Sequence, residues 1–323
     1  MDSYSWIQKK FHKLVLSNQL VSEASHDIET YFNNRVSYKD NHVFVFGLAR
    51  SGSTILLNEI HKSGDFASLC YSDMPFVMAP NLWAKISFNK KNSVPIERAH
   101  GDGIKISTNS PEAFEEVFWK TFINESRNEV TDRFKTFVSN VISKENKSRY
   151  LSKNNQNIKR YDLINEIFPF SKKLIPFRDP IQQSFSLLSQ HNRFINLAQS
   201  NKFIGEYMKW TGHTEFGPNY KMNDSLSIKF QNVEDINHWL EQWYINYNSI
   251  LQYGNIDNQT EFICYENLCM SSKSWSNIQD FLNIKKDNQF IFKESSKKIT
   301  EIIDNKLLKK CNSLYTYLKM LSL

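Results

Sequence analysis

The sequence predicts an α/β fold in which helices flank a parallel β-sheet. Short apolar, β-prone segments alternate with helical segments along the 323 residues, an order typical of parallel strands joined by helices. The residues are 40% hydrophobic and 14% aromatic, which provides side-chain area for a sizeable core. We therefore expect a single α/β domain with helical additions.

The N-terminal part of the chain predicts a helical leader. Residues 4–33 carry Trp6, Phe11 and further apolar side chains at helical spacing, which indicates an amphipathic helix packed on the domain. We assign residues 1–40 to this leader and residues 41–323 to the main domain.

The main domain is predicted to alternate between strands and helices. The strands are expected at 42–46, 66–71, 149–152, 173–177 and 260–265. The helices are expected at 111–124, 130–143, 158–168, 180–190, 233–252 and 273–283. Residues 195–232 interrupt the alternation with glycines and aromatic residues, so we expect a partly structured insertion on the substrate side.

Charge and composition exclude several classes of protein. The net charge of +6 permits an anionic ligand, but the basic residues are scattered, whereas a nucleic-acid-binding surface would cluster them. The four cysteines lack the spacing of a zinc site or a disulfide framework, which favours reduced thiols in a cytoplasmic protein. The sequence contains no stretch of about 20 apolar residues, so it predicts no transmembrane segment.

A glycine-containing loop after the first strand predicts an anion site. The loop runs from Gly47 into a helical segment, and amide groups at a helix N-terminus attract anions. Arg50 adds a planar fork for two anion oxygens, and Gly52 lets the backbone come close. The neighbouring hydroxyl donors are Ser51, Ser53 and Thr54. Ser53 stands where an ATP- or GTP-hydrolysing loop has lysine, which counts against that chemistry.

A second candidate anion site follows the strand at 173–177. Arg178 stands at the carboxyl end of this strand, where open α/β sheets bind ligands. Asp179 and Pro180 begin a helix, and Ser186 lies about two turns along it. The hydroxyl of Ser186 can therefore face the same ligand as Arg178.

Together the two loops resemble those of the sulfotransferases that use 3′-phosphoadenosine 5′-phosphosulfate (PAPS). The resemblance covers residues 42–190 and is strengthened by Tyr150–Asn155, which is similar to a segment of tyrosylprotein sulfotransferases. It implies a P-loop nucleoside triphosphate hydrolase-like fold. It also implies that Arg50 and the four residues after it hold the 5′-phosphosulfate, while Arg178 and Ser186 hold the 3′-phosphate.

The resemblance further implies that Lys153, at a strand end, reaches the sulfuryl group. In-line transfer places negative charge on the leaving phosphate oxygen, so Arg50 and Lys153 are the cations expected to stabilise it, without a metal ion. The general base is left between two residues. His100 lies in a glycine-flanked loop, and Asp73 stands about where the resembling enzymes keep a glutamate. Glu115 is a further candidate, although an acid at a helix start also serves capping.

The acceptor class stays open at this point. A carbohydrate, a small molecule or a tyrosine could supply the hydroxyl, and several aromatic residues could form its wall or simply be core. These are Trp83, Trp119, Trp210, Phe216 and Tyr220. His191 and His213 are candidates for the acceptor side. The alternatives to a sulfotransferase are a P-loop kinase-like enzyme and a non-catalytic nucleotide-binding module.

Overall fold

A five-stranded parallel sheet forms the centre of the computed structural model. The structure describes residues 5–33, 40–87, 94–224, 226–254, 256–286, 290–294 and 297–323. In chain order the strands are β1 (Val43–Val45), β2 (Phe66–Ala67), β3 (Ile96–Glu97), β4 (Lys105–Ile106), β5 (Arg149–Lys153), β6 (Lys172–Phe177) and β7 (Thr260–Cys264). The sheet has the order β2-β5-β1-β6-β7, and β3 and β4 form a separate antiparallel hairpin.

The central strand β1 is covered on both faces. Phe44 packs into a large aromatic cluster on one face, while Val43 and Val45 pack into an aliphatic cluster on the other. All three side chains are fully buried, which explains why the strand is an unbroken apolar run. Val45 pairs in register with Lys153 of β5, so the ends of these two strands lie side by side.

Helices pack around this sheet. In the N-terminal half they are α1 (Trp6–Ser17), α2 (Gln19–Phe32), α3 (Ser53–His61), α4 (Pro80–Ile86), α5 (Glu116–Thr121) and α6 (Arg127–Glu145). The remaining helices are α7 (Tyr161–Ile167), α8 (Pro180–Ser200), α9 (Lys202–Trp210), α10 (Ile236–Tyr253), α11 (Tyr265–Met270), α12 (Ser272–Leu282) and α13 (Asn305–Leu321). Short 3₁₀ turns occur at Tyr71–Asp73 and Asn155–Arg160.

The leader forms two helices where the sequence predicted one. Asn18 adopts an extended conformation between α1 and α2, and its side chain accepts a hydrogen bond from the amide of Val21 at the start of α2. An asparagine favours such a cap over a helix interior, which is why the continuous periodicity was misleading. The predicted end of the leader, residues 34–39, lies outside the described residues.

Further boundaries differ from the prediction, and the helix expected at 111–124, for example, is limited to Glu116–Thr121. The strand expected at 66–71 is limited to Phe66–Ala67, and the chain then enters the turn at Tyr71–Asp73. The helix expected at 180–190 continues to Ser200, and α9 follows after Asn201, whose side chain caps it. The segment 195–232 is therefore helical in its first part.

Among the helices in the described part of the chain, none combines the length and the apolar character that a membrane span requires.

Candidate functional site

The loop between β1 and α3 makes a tight turn at the sheet edge. Gly47, Arg50 and Gly52 all have left-handed backbones, with φ of 96°, 70° and 89°. A Cβ at Gly52 would overlap the ring of Tyr265, and one at Gly47 would lie 2.7 Å from the carbonyl oxygen of Pro176. Glycine is therefore required at both positions by sterics. Gly52 directly precedes α3. The first backbone amides of this helix, which have no acceptor within the helix, therefore lie at the loop.

Arg50 connects this loop to the helix after the second loop. Its Nε donates a hydrogen bond to Oγ of Ser186 at 2.9 Å, and its Nη1 lies 2.8 Å from Oδ2 of Asp102. The structure thus brings together Arg50 and Ser186, which the sequence placed in separate anion sites.

Arg178 lies at the same edge of the sheet, at the end of β6. Its Nε is 3.8 Å from Oε1 of Glu266, and its guanidinium lies 5.8 Å from the ring centre of Tyr265. Burial lowers the pKa of Arg50, and the positive charges of Arg98 and Arg178 lower it further. Arg178 and the Arg50–Ser186 pair therefore lie at the same edge of the sheet, after the neighbouring parallel strands β6 and β1.

Arg98 and Asp102 form an ion pair beside the first loop. Nη2 of Arg98 lies 2.5 Å from Oδ2 of Asp102, and Nη1 of Arg98 donates to Oγ1 of Thr54 at 3.4 Å. Burial acts to raise the pKa of the Asp102 carboxyl, but its hydrogen bonds to Arg98 and Arg50 hold that pKa well below its usual range. Arg50 in the loop and Arg98 beside it thus both pair with the carboxylate of Asp102.

Lys153 ends strand β5 and is buried, with 7% of its surface exposed. Burial lowers the pKa of its ammonium group, whereas the carboxylates of Glu112 and Glu215 act to raise it. Burial raises the pKa of Glu112, but Lys153 and Arg98 together with hydrogen bonds bring that pKa below its usual value. The lysine charge is therefore embedded among groups of both signs.

A cavity of about 580 Å³ opens beside these residues. The predicted site residues that line it are Arg50, Ser53, Thr54, His100 and Lys153. Of the described residues, Ser51, Gly52, Arg178 and Ser186 do not line this cavity. The cavity therefore includes the residues predicted to act on the sulfuryl group and the acceptor hydroxyl, and it excludes Arg178 and Ser186 of the second anion site.

His100 lies in the turn between β3 and β4. Its Nδ1 is buried and has no hydrogen-bond partner among the residues that the structure describes. Burial and the charge of Arg98 hold the pKa of His100 well below 6.5, so its ring is neutral near pH 7. A neutral imidazole nitrogen without a partner is able to accept a proton.

His213 and Glu215 form a second titratable pair in the cavity wall. Nδ1 of His213 lies 2.8 Å from Oε2 of Glu215, and the ring centre of His213 is 6.5 Å from that of His100. Burial acts to raise the pKa of Glu215, but His213 and Lys153 lower it to about 2. The carboxylate of Glu215 is thus ionised and can orient the His213 ring.

Asp73 is not brought to the cavity. Its Oδ2 accepts a hydrogen bond from the amide of Cys70 at 2.8 Å, and its Oδ1 lies 2.8 Å from Nζ of Lys144. Asp73 is 2% exposed, so the carboxylate is enclosed by these partners. This placement favours a structural role for Asp73 in the turn at Tyr71–Asp73 over a role as general base.

Glu115 is also part of the core. Its carboxylate accepts hydrogen bonds from Trp119 at 2.9 Å, Asn157 at 2.8 Å and Tyr150 at 3.1 Å. Two other acids of this segment, Glu112 and Glu116, line the cavity, and Glu112 accepts a hydrogen bond from the Tyr71 hydroxyl at 3.0 Å. The sequence does not distinguish these acids from Glu115, because only the fold decides which of them face the cavity.

The aromatic residues considered for the acceptor wall divide into two groups. Trp83 and Phe216 line the cavity, together with His213. Trp119, Trp210 and Tyr220 do not line it, and Tyr220 instead bonds His238 at 2.7 Å. His191 accepts a hydrogen bond from the amide of Gly217 and also lies outside the lining.

Four residues at the site were not predicted from the sequence as functional: Arg98, Asp102, Glu112 and Glu215. Arg98 and Asp102 stand in the same segment as His100, and their separation of four residues was the signal that could have paired them. Within the described part of the chain, no cluster of three or more metal-ligating side chains occurs.

Comparisons with known proteins identify the family and the fold. No curated protein is a significant sequence match. Sulfotransferase STF1 from Mycobacterium tuberculosis H37Rv is 11% identical with a TM-score of 0.52, over 98% of this chain and 85% of that chain. Sulfotransferase STF9 from Mycobacterium avium is 10% identical with a TM-score of 0.45, over 98% and 79%. The predicted P-loop-like α/β sulfotransferase fold is confirmed. A model of the sulfotransferase family matches residues 42–220, more than half of the chain, and the protein therefore belongs to this family.

Proposed function

We propose that this sulfotransferase takes its sulfuryl group from PAPS and transfers it to an acceptor hydroxyl. The observation that carries the proposal is the meeting of the two arginine loops. Arg50 bonds Ser186, and its charge interacts with that of Arg178. Two separate anion sites within one charged region fit a donor that has phosphate groups at both its 5′ and 3′ positions.

The residues of the first loop fit the phosphosulfate end of the donor. The amides at the start of α3 would donate to its oxygens. Gly52 leaves the room that the Tyr265 ring occupies beside this loop. Arg50 and Arg98 share the carboxylate of Asp102, so this group of three side chains keeps one positive charge for the donor. Arg178 and Ser186 would hold the 3′-phosphate.

The reaction is an in-line displacement at sulfur. The acceptor oxygen forms a bond to sulfur while the bond between sulfur and the bridging phosphate oxygen breaks, and 3′-phosphoadenosine 5′-phosphate leaves with that electron pair. The acceptor proton passes to a general base. Arg50 and Lys153 would stabilise the charge that develops on the bridging oxygen. His100 would take the proton, because its neutral ring has a buried nitrogen without a partner.

Substitution of His100 by glutamine is expected to lower turnover by about 10²-fold, the usual size for a lost general base. The neutral form of His100 is the active base, so its lowered pKa moves the acidic fall in rate below pH 6.5. Turnover should therefore stay flat from mildly alkaline pH down to pH 6.5 and decline only below it, measured with labelled donor. His213→Gln is the matched variant. A larger loss in His213→Gln than in His100→Gln would assign the base to the His213–Glu215 pair.

Arg178→Ala is expected to weaken binding of 3′-phosphoadenosine 5′-phosphate by about 1.5–3 kcal/mol, the size of a charge-assisted hydrogen bond. Binding of adenosine 5′-phosphate, which lacks the 3′-phosphate, should change much less. Isothermal titration measures both, and Arg127→Ala is the control because Arg127 pairs with Glu166 on the surface. Equal losses for the two nucleotides would separate Arg178 from the 3′-phosphate. Tighter binding of ATP with Mg²⁺ than of 3′-phosphoadenosine 5′-phosphate would overturn the donor assignment.

A further inference from the structure

The cavity has an apolar region formed by the leader and α4. Phe11 of α1 and Trp83 of α4 line this region, and their ring centres are 5.9 Å apart. Phe76, outside the lining, packs against both, with ring centres 5.6 Å from Phe11 and 5.2 Å from Trp83. The indole nitrogen of Trp83 donates to the carbonyl oxygen of Ser72 at 3.0 Å. The polar atom of Trp83 is therefore satisfied by the protein, and its ring offers apolar surface to a ligand.

The remaining wall holds both polar and apolar side chains, and eight of the apolar ones are large. They are Met74, Val94, Ile96, Ile106, Phe114, Phe194, Met208 and Phe216. Methionine side chains adapt to ligands of irregular shape, and aromatic rings bury large apolar areas. A cavity of about 580 Å³ is within the usual range for small-molecule sites.

Several polar groups in this wall are already bonded within the protein. The Tyr71 hydroxyl donates to Glu112, and the Thr211 hydroxyl donates to the carbonyl oxygen of Tyr207 at 2.9 Å. A carbohydrate would bury several hydroxyl groups, and each needs a partner to avoid a desolvation cost. A hydrocarbon body needs none.

The apolar wall continues to the surface. Phe11 is 37% exposed, Ile96 is 56% exposed and Val94 is 83% exposed, and all three line the cavity. Contiguous apolar residues at the opening of a cavity indicate a site for an apolar ligand. The cations that line the cavity are Arg50 of the first loop, Arg98, which bonds Thr54 of that loop, and Lys153 at the end of β5.

Building on the proposed function, we propose that the acceptor is an alcohol or phenol with a mostly hydrocarbon body. The body lies against Phe11 and Trp83, and the hydroxyl faces His100 and Lys153. The acceptor oxygen gains the sulfuryl group and loses its proton to the base, and the donor leaves as 3′-phosphoadenosine 5′-phosphate. The structure disfavours glycans and charged tyrosine peptides as acceptors, because the site offers apolar surface to the body of the ligand.

Isothermal titration of the full chain with 2-naphthol and with 1-octanol tests the binding site without any donor. We expect binding of at least one of them, weakened by about tenfold in Trp83→Ala and Phe11→Ala. Phe170→Ala is the matched control, since Phe170 is 68% exposed and outside the cavity lining. Affinity for 3′-phosphoadenosine 5′-phosphate should be unchanged in all three variants, which reports that each variant is folded. The two probes distinguish a phenol from an aliphatic alcohol.

Transfer assays with labelled PAPS test the acceptor class directly. We expect product from 2-naphthol or 1-octanol and little from glucose oligomers or tyrosine peptides. Faster transfer to a glycan or peptide, or apolar binding that is equal in wild type and Trp83→Ala, would overturn the inference. Binding that depends on Trp83 without any transfer from PAPS would support the apolar site while contradicting the proposed donor.

Discussion

Replacement of Lys153 by methionine is expected to lower turnover by about 10³-fold while leaving the protein folded. The lysine charge would act on the oxygen that becomes negative as the sulfuryl group leaves, so its removal costs transition-state stabilisation. Methionine fills a similar volume. Because burial lowers the pKa of Lys153, the charged form carries a desolvation cost that methionine removes. The carboxylates of Glu112 and Glu215 lose a neighbouring cation in the variant, which opposes this gain, so we expect a folded protein of lower stability.

The measurement is turnover with labelled donor alongside denaturant unfolding. Lys135→Met is the matched control, because Lys135 lies exposed on α6 and should alter neither quantity. Binding of 3′-phosphoadenosine 5′-phosphate by Lys153→Met should fall far less than turnover, since that product lacks the sulfuryl group. Unchanged turnover would show that Lys153 does not act on the leaving group.

The central strands of the sheet were predictable because they have a strong local signal. Val43 to Phe46 and Leu174 to Phe177 are apolar runs typical of a strand covered on both faces, and both lie in the centre of the sheet. The first loop was predictable for a similar reason, since Gly47 and Gly52 are conformational requirements of the turn. Features of this kind depend on a few neighbouring residues.

The cavity was not predictable, because it depends on contacts between distant segments. Phe11 and Trp83 meet across the leader and α4, and Arg98 reaches Thr54 from a hairpin that the periodicity did not indicate. For Asp73, the sequence indicated a role in the site that its place in the fold does not support. Its position in the chain favoured a catalytic carboxylate, but Lys144 of α6 pairs with it outside the cavity. Sequence spacing does not reveal which distant charge will be its neighbour.

Replacement of Arg50 by alanine is expected to reduce turnover by about 10³-fold and to weaken donor binding. Arg50 would contact the developing charge on the leaving phosphate, and it also joins the loop to Ser186 and Asp102. The same guanidinium thus serves both binding and turnover. Turnover and the affinity for 3′-phosphoadenosine 5′-phosphate measure the two effects separately.

Arg50→Gly distinguishes the contribution of the Arg50 side chain from that of its backbone conformation. Arg50 has a φ of 70°, a left-handed conformation that costs about 1 kcal/mol or more for a residue with a Cβ and is freely adopted by glycine. Both variants lose the same contacts, so Arg50→Gly should unfold at higher denaturant concentration than Arg50→Ala. Its turnover should nevertheless be as low as that of Arg50→Ala, because the charge is missing in both. Recovery of turnover in Arg50→Gly would mean that the turn, and not the guanidinium, is what the reaction requires.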